Sequence, residues 1–422
     1  MSRLRPLEYI FSITNSGEYK RIVIFGIPIR FKITEENKKI CDSQIVQDNK
    51  VLFMNYLGKS FGCNPKYIAL EILKRKLPLD LVWIGKDIDD EFKKNFPPGI
   101  RFVEYKSRDC LKEMASAKFW ITNYHFVKLF SMGVSKKENQ CYIQTWHGSL
   151  GIKKIEKDVK LLTEDSDWAK FAKYNSECVD YWISNSKFET EVYKNAFWNA
   201  HNIKEFGHPR NDVFFKSEEE KIEIRKKVFT QLNIPLDKKV LLYVPSFRDN
   251  DDISCFKLDY VKVLEACKKK FGGDWVCVAR FHPRVKKFKK RMFGYGIKDS
   301  SNIVINGTNY SDIQELLLSS DIAITDYSSC IFDFILSKKP GFIFATDIEK
   351  FNSSRGFYYP IEQTPFTVSK NNEELVKNIL NFEIEKYKKE ADAFLEEKGC
   401  IEDGNASNRV VDLVEEIMRG GN

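Results

Sequence analysis

Among the 422 residues there are five histidines, and His147 has the most suggestive setting: Cys141-Tyr142-Ile143-Gln144-Thr145-Trp146-His147-Gly148-Ser149. An apolar run that reads as a strand ends just before it. Imidazole exchanges its proton near neutral pH, so a histidine at a strand end is a candidate general base. Two further elements also follow strand-like runs. Arg280-Phe281-His282-Pro283-Arg284 gathers two guanidinium groups and an imidazole, and arginine's planar fork matches phosphate while His282 can donate to the same group. Thr325-Asp326-Tyr327-Ser328-Ser329 is a serine-rich turn leading into a helix near Cys330, an arrangement that exposes backbone N–H donors. Arg248, in Pro245-Ser246-Phe247-Arg248, holds the corresponding position after another strand. A base together with anion-binding elements points to transfer chemistry on a phosphorylated substrate. The plain alternatives are an ordinary serine cap and a surface turn stiffened by Pro283. Gly207-His208-Pro209-Arg210-Asn211-Asp212 reads as a structural or hinge element, and His125 and His201 as satisfied structural histidines.

The elements that must position these residues alternate between strand and helix, the pattern of parallel sheets covered by helices on both faces. Strands are expected at Arg21–Phe25, Val51–Asn55, Leu79–Ile84, Arg101–Tyr105, Phe119–Thr122, Tyr142–Thr145 and Tyr181–Ser184, then at Val240–Val244, Trp275–Arg280, Asn302–Ile305, Ile322–Thr325 and Gly341–Phe344. Helices are expected at Pro65–Lys76, with Asn64 as its cap, and at Glu218–Leu232, Tyr260–Phe271, Ser311–Ser320, Cys330–Ser337, Glu374–Glu397 and Asn405–Arg419. The fold class is α/β, with two Rossmann-like domains at 1–215 and 216–400 and a terminal helix within 401–422 that packs across their junction. In such sheets ligands bind beyond the carboxyl ends of the strands, where the candidate residues fall.

A hydrophobic content of 43% supports two separate cores. The net charge of +8 is concentrated in runs such as Lys286–Arg291 and Lys268–Lys270, which suit a phosphate-rich partner or an anionic membrane surface. Ten cysteines lie scattered, mostly within apolar segments and without a Cys-x-x-Cys pair, as expected of reduced thiols in a cytoplasmic protein. No segment approaches the ~18 apolar residues of a membrane span. The spacing shows no metal-ligand cluster, no Gly-x-Gly-x-x-Gly after a strand and no complete Walker-type Gly-x-x-x-x-Gly-Lys-Ser/Thr, so dehydrogenase and P-loop readings lose their support.

In order along the chain, these elements resemble the CDP-glycerol glycerophosphotransferase family of teichoic-acid and capsule enzymes. The resemblance is carried by Gly58-Lys59-Ser60 with Asn64-Pro65-Lys66, Gln144-Thr145-Trp146-His147-Gly148 with Lys153-Lys154, and Gly207–Asp212. It continues through Pro245–Arg248, Phe281-His282-Pro283, Asp321–Ser329 with Phe332-Asp333-Phe334, and Arg355-Gly356-Phe357-Tyr358. The chain departs from the family's Trp-His-Gly-Thr-Pro at Ser149-Leu150-Gly151, losing a rigid proline beside the base.

The resemblance implies a GT-B-like arrangement of two domains facing across a cleft, the first for the acceptor and the second for the CDP-linked donor. His147 is then the catalytic base, and His282, Ser328 and Ser329 surround the donor's pyrophosphate. Arg248, Arg280, Arg284 and Arg355 complete the candidate phosphate contacts. The expected reaction moves a polyol phosphate, glycerol phosphate by the family's habit, to a hydroxyl of a glycan or lipid-linked polyol-phosphate acceptor and releases CMP. Closure of the two domains is expected to bring the strand-end residues face to face. No cofactor is demanded, a divalent metal such as Mg is compatible, and no nucleic-acid partner is expected. The protein is expected in the cytoplasm, with any membrane contact peripheral on the inner face. A nucleotide-sugar glycosyltransferase of the same fold and a non-catalytic polyanion binder are the competing readings.

Overall fold

The computed structural model describes residues 11–16, 19–24, 27–159, 166–248, 254–281 and 303–420. Three strands, β1 (Phe11–Ser16), β2 (Tyr19–Ile24) and β3 (Ile27–Lys32), form a small antiparallel meander ahead of the main body. The strand expected at Arg21–Phe25 therefore belongs to this meander and not to the first parallel sheet.

The first lobe contains β4 (Gln47–Met54), β5 (Asp80–Gly85), β6 (Ile100–Glu104), β7 (Ala117–Thr122), β8 (Cys141–Gln144), β9 (Tyr181–Ser184) and β10 (Ile203–Glu205). They pair in parallel in the order β10-β9-β8-β7-β4-β5-β6. The second lobe contains β11 (Lys239–Val244), β12 (Trp275–Ala279), β13 (Val304–Asn306), β14 (Ile322–Thr325), β15 (Gly341–Phe344) and β16 (Thr367–Ser369), in the order β13-β12-β11-β14-β15-β16, again all parallel. Both sheets run outward in two directions from their first strand, the doubly wound arrangement whose crevice lies between β4 and β7 in one lobe and between β11 and β14 in the other.

Sequence dictates this burial directly. Val51-Leu52-Phe53-Met54, Leu81-Val82-Trp83-Ile84 and Ile322-Ala323-Ile324 are unbroken apolar runs, all fully buried, as strands must be when helices cover both faces. Alternate residues feed the two faces of the first sheet: Leu52, Val82 and Trp120 enter one cluster, and Val51, Leu81 and Phe119 the other.

Helix Glu218–Leu232 begins at a capping box of Ser217 and Glu220, and Tyr260–Phe271 also has its expected bounds. The long helix expected over Glu374–Glu397 is two helices, Asn372–Leu380 and Ile384–Glu397. Asn64 is not a cap. The helix starts at Cys63 after an uncapped Gly62, and the Asn64 amide reaches out of the helix to the carbonyls of Thr145 and Trp146 at 3.2 and 3.1 Å. The last helix, Ala406–Met418, buries Val410, Val411 and Val414 against the first lobe, and Arg75 bridges to its Asp412 and Glu415 at 2.5 and 2.8 Å.

The lobes meet along a continuous seam. Lys66 of the first lobe pairs with Asp312 and Glu315 of the second at 2.7 and 2.6 Å. Arg210 pairs with Asp333 through Nε and Nη2 at 3.0 and 3.1 Å. Backbone bonds join Tyr358 to Ile152 at 2.7 Å and Lys154 to Gly356 at 3.1 Å. Leu150, Ile152, Val213 and Phe214 are buried in the second lobe's core. The strand-end loops are thus already face to face across this seam.

Candidate active site

His147 lies three residues beyond the end of β8, on a loop held at every step. Thr145 donates its N–H to Thr122 at 2.9 Å, Trp146 donates to the Gln144 side chain at 2.9 Å, and Asn64 grips the next two carbonyls. Trp146 adopts φ +49°, a conformation that costs about 1–3 kcal/mol in a non-glycine residue and persists only where its surroundings enforce it. Here they do: its indole lies edge-on to Phe197 at 4.9 Å and to His125 at 5.3 Å.

The orientation of the imidazole follows from one bond. His147 Nδ1 lies 2.8 Å from the backbone oxygen of Asn123, which can only accept, so Nδ1 carries the proton and Nε2 presents a lone pair. Burial pushes the pKa down to about 3, with the positive charges of Arg210, His125 and Lys153 in support and the Asn123 carbonyl opposing. The ring is half-buried, so water still reaches it. At neutral pH it is an uncharged base.

Beneath the loop lies a buried polar floor. Arg210 holds Asp333 and donates to Gly148 O, and its N–H donates to Asn64 Oδ1 at 3.1 Å. His208 Nε2 contacts Glu189 at 2.9 Å. Glu402 accepts from the backbone N–H of His208 at 3.2 Å and from the amides of Asn185 and Asn211 at 3.0 and 2.8 Å. Gly207–Asp212 is therefore structural. Ser149, where the family's proline motif is lost, accepts from the Asn185 amide at 2.9 Å, and Leu150 is anchored in the second lobe with its carbonyl accepting from Tyr359 OH. Side chains hold this turn where proline would stiffen it.

Across the seam, the second lobe presents Ser328 and Ser329, both half-buried at the start of helix Cys330–Phe334, and Ser329 makes no capping bond. At five residues this helix barely exceeds one turn, so cationic side chains must supply most of the charge an anion needs. A side chain on Gly151 would come within 3.0 Å of Ser329, which places the His147 loop directly against this serine turn.

Two cations flank the contact. Lys153, bridged in antiparallel register to Phe357, has its pKa lowered to about 8 by burial and by the nearby Arg355. The Arg355 Nε is buried without a hydrogen-bond partner. Among the described residues neither forms an ion pair. Arg280 donates to the carbonyls of Gly307 and Tyr310 at 3.0 and 2.6 Å, and burial lowers its pKa. Arg248 differs: Asp347 takes its Nε and Nη2 at 2.7 and 2.8 Å and Asp326 its Nη1 at 2.9 Å, a knot that ties the ends of β11, β14 and β15. His282 and Arg284 lie outside the described residues. Among the described residues no group of three His, Cys, Asp or Glu is placed to hold a metal ion.

Sequence reasoning quoted Lys153 only within a basic motif, without a place among the donor contacts, and overlooked Tyr56 and Asn123. The last two follow β4 and β7, the strands beside the first lobe's crevice, so strand-end position was the signal available.

Two doubly wound lobes meeting at their strand ends, with a histidine on one and cations about the seam, define a GT-B-like fold. The chain belongs to the CDP-glycerol:poly(glycerophosphate) glycerophosphotransferase family, whose sequence pattern matches residues 38–416. A teichoic acid poly(glycerol phosphate) polymerase of Staphylococcus epidermidis is 33% identical over 391 residues, covering 89% of this chain and 51% of the polymerase. The chain thus spans about half the length of that relative. A teichoic acid glycerol-phosphate transferase of Staphylococcus aureus is 29% identical over 94% of this chain and 98% of its own length. The solved structure of the wall teichoic acid polymerase TagF superposes with a TM-score of 0.77 at 29% identity, covering 92% of this chain and 94% of that one.

Proposed function

We propose that the protein transfers glycerol phosphate from CDP-glycerol to a hydroxyl of a teichoic-acid-like acceptor and releases CMP. The observation that carries this reading is the neutral His147, its Nε2 unprotonated, on the loop that also carries Lys153 and facing the lobe that carries Arg355, two cations without an ion pair among the described residues. A diphosphate between Lys153, Arg355 and Ser328–Ser329 supplies the missing charge. The acceptor oxygen forms a bond to the β-phosphorus while its proton passes to His147 Nε2. The bond from that phosphorus to the bridging oxygen breaks, and its electron pair leaves on CMP. Buried cations fixed before reaction stabilise the charge developing on that oxygen without reorganising. Glycerol is the polyol because the family description and both relatives above carry that name.

The acceptor we assign is a lipid-linked polyol phosphate, reached peripherally from the inner membrane face; no described helix is long and apolar enough to cross a membrane. The basic run Lys286–Arg291, which would rest on phospholipid, lies outside the described residues. Incubation with CDP-glycerol, CDP-ribitol and a nucleotide-sugar panel, followed by mass spectrometry of the nucleotide and the new bond, tests the donor. CMP and a phosphodiester from CDP-glycerol are expected; a glycosidic bond from a nucleotide-sugar overturns the reading. His147→Ala is expected to lower turnover by about 10²–10⁴-fold with donor binding retained.

A further inference from the structure

We infer that the hydroxyl of Tyr56 donates a hydrogen bond to the transferring phosphoryl group, making Tyr56 a second catalytic residue beside His147. The inference rests on the phosphoryl-transfer reading above. Three consecutive residues beyond β4, Tyr56, Leu57 and Gly58, have φ of +41°, +61° and +82°. Two non-glycine residues in this region are a strained arrangement that its surroundings must enforce. Asn55 enforces it by donating to Ser60 O at 3.0 Å and accepting from Gly58 N at 2.9 Å, and Gly58 has no room for a side chain beside Gly85 and Lys86.

The bend delivers the Tyr56 ring to the base, with centroids 4.9 Å apart. One residue fixes both groups. Asn123 accepts the Tyr56 N–H on Oδ1 at 3.1 Å and the His147 Nδ1–H on its backbone oxygen at 2.8 Å, so the phenol and the imidazole share an anchor.

The hydroxyl itself has no partner among the described residues, and the residue is only half-buried. Burial raises the phenol's pKa well above its ordinary value, with Cys63 adding to the rise and Arg210 and Arg280 opposing it, so it stays an O–H donor throughout the working pH range. The acceptor alcohol needs a group that takes its proton, which His147 provides. The non-bridging phosphoryl oxygens need donors. A neutral phenol beside the base, within the field of Arg280 from the other lobe, meets that need at the phosphorus under attack.

Tyr56→Phe removes the hydroxyl and keeps the ring. It is expected to lower kcat by about 10–100-fold, the worth of a hydrogen bond to a charged group, with donor KM within about threefold, and to leave unchanged both Tm and the pH profile. Tyr56→Ala also removes the ring, admits water to His147 and moves the acid limb of the pH profile upward. Wild-type kcat in Tyr56→Phe overturns the inference, as does a loss of kcat that comes with a lowered Tm. His147→Ala measured alongside separates the two claims: an inactive His147→Ala with a fully active Tyr56→Phe sinks only the role of Tyr56, whereas full activity in both sinks the transfer mechanism.

Discussion

Two pairs of basic residues beside the seam differ in one respect. Arg210 and Arg248 are each held by carboxylates, Asp333 for the first and Asp326 with Asp347 for the second. Lys153, two residues beyond the Gly151 that abuts Ser329, and Arg355 have no carboxylate at ion-pairing distance among the described residues. A buried cation with its counter-ion in place is finished and serves the fold. One without a counter-ion remains electrostatically incomplete until an anion arrives. On the proposed mechanism, the comparison teaches that a basic residue after a strand is a candidate phosphate contact only where no carboxylate already neutralises it.

Breaking the first pair should have the largest effect on the fold. Arg210→Ala leaves Asp333 buried and unpaired beneath the His147 loop, and is expected to lower stability by about 3–5 kcal/mol, read by denaturant unfolding. A loss below about 1 kcal/mol would erase the distinction. Lys153→Met should do the opposite, raising the donor KM by about 10–100-fold while the melting temperature holds or rises, because an unpaired buried charge is removed.

Titration sharpens the same contrast. Lys153 is cationic below about 8 and loses its proton above it, so kcat/KM for the donor is expected to fall as pH rises through about 8. Lys153→Arg, charged throughout, should abolish that limb. His147, at about 3, should cause no loss of rate between pH 7 and 5. The smallest effect belongs to Glu402. Burial raises the Glu402 carboxyl to about 7, above its unfolded value, so its stabilising contribution is complete below the unfolded pKa and lost as pH rises through about 7. Melting curves across pH 5–8 should show wild type losing about 1–3 kcal/mol relative to Glu402→Gln.

The strands of both sheets were legible because parallel strands buried on both faces are written as plain apolar runs; β9, β14 and β15 keep their expected bounds. The strands β10 and β16, Ile203-Lys204-Glu205 and Thr367-Val368-Ser369, were not, since three residues of mixed polarity at a sheet edge carry no period. Helix breaks resisted for a related reason: Asn381–Glu383 interrupts a charged stretch whose pattern continues on both sides. At the site, His147 and the serine turn stood out by residue type and position. Lys153 was visible only as part of a basic motif, because its meaning depends on what is missing around it. Asn64 misled because a side chain suited to capping was recruited to a loop 81 residues away in sequence.

The seam also decides how this polypeptide can be cut and recombined. Because Ala406–Met418 belongs to the first lobe, the chain leaves that lobe near 216 and returns after 400, so the second lobe is an insert threaded through the first. A chimera with a relative therefore needs two breakpoints. It must also carry Lys66 with Asp312 and Glu315, and Arg210 with Asp333, from the same parent, or the hybrid inherits buried charges whose partners stayed behind.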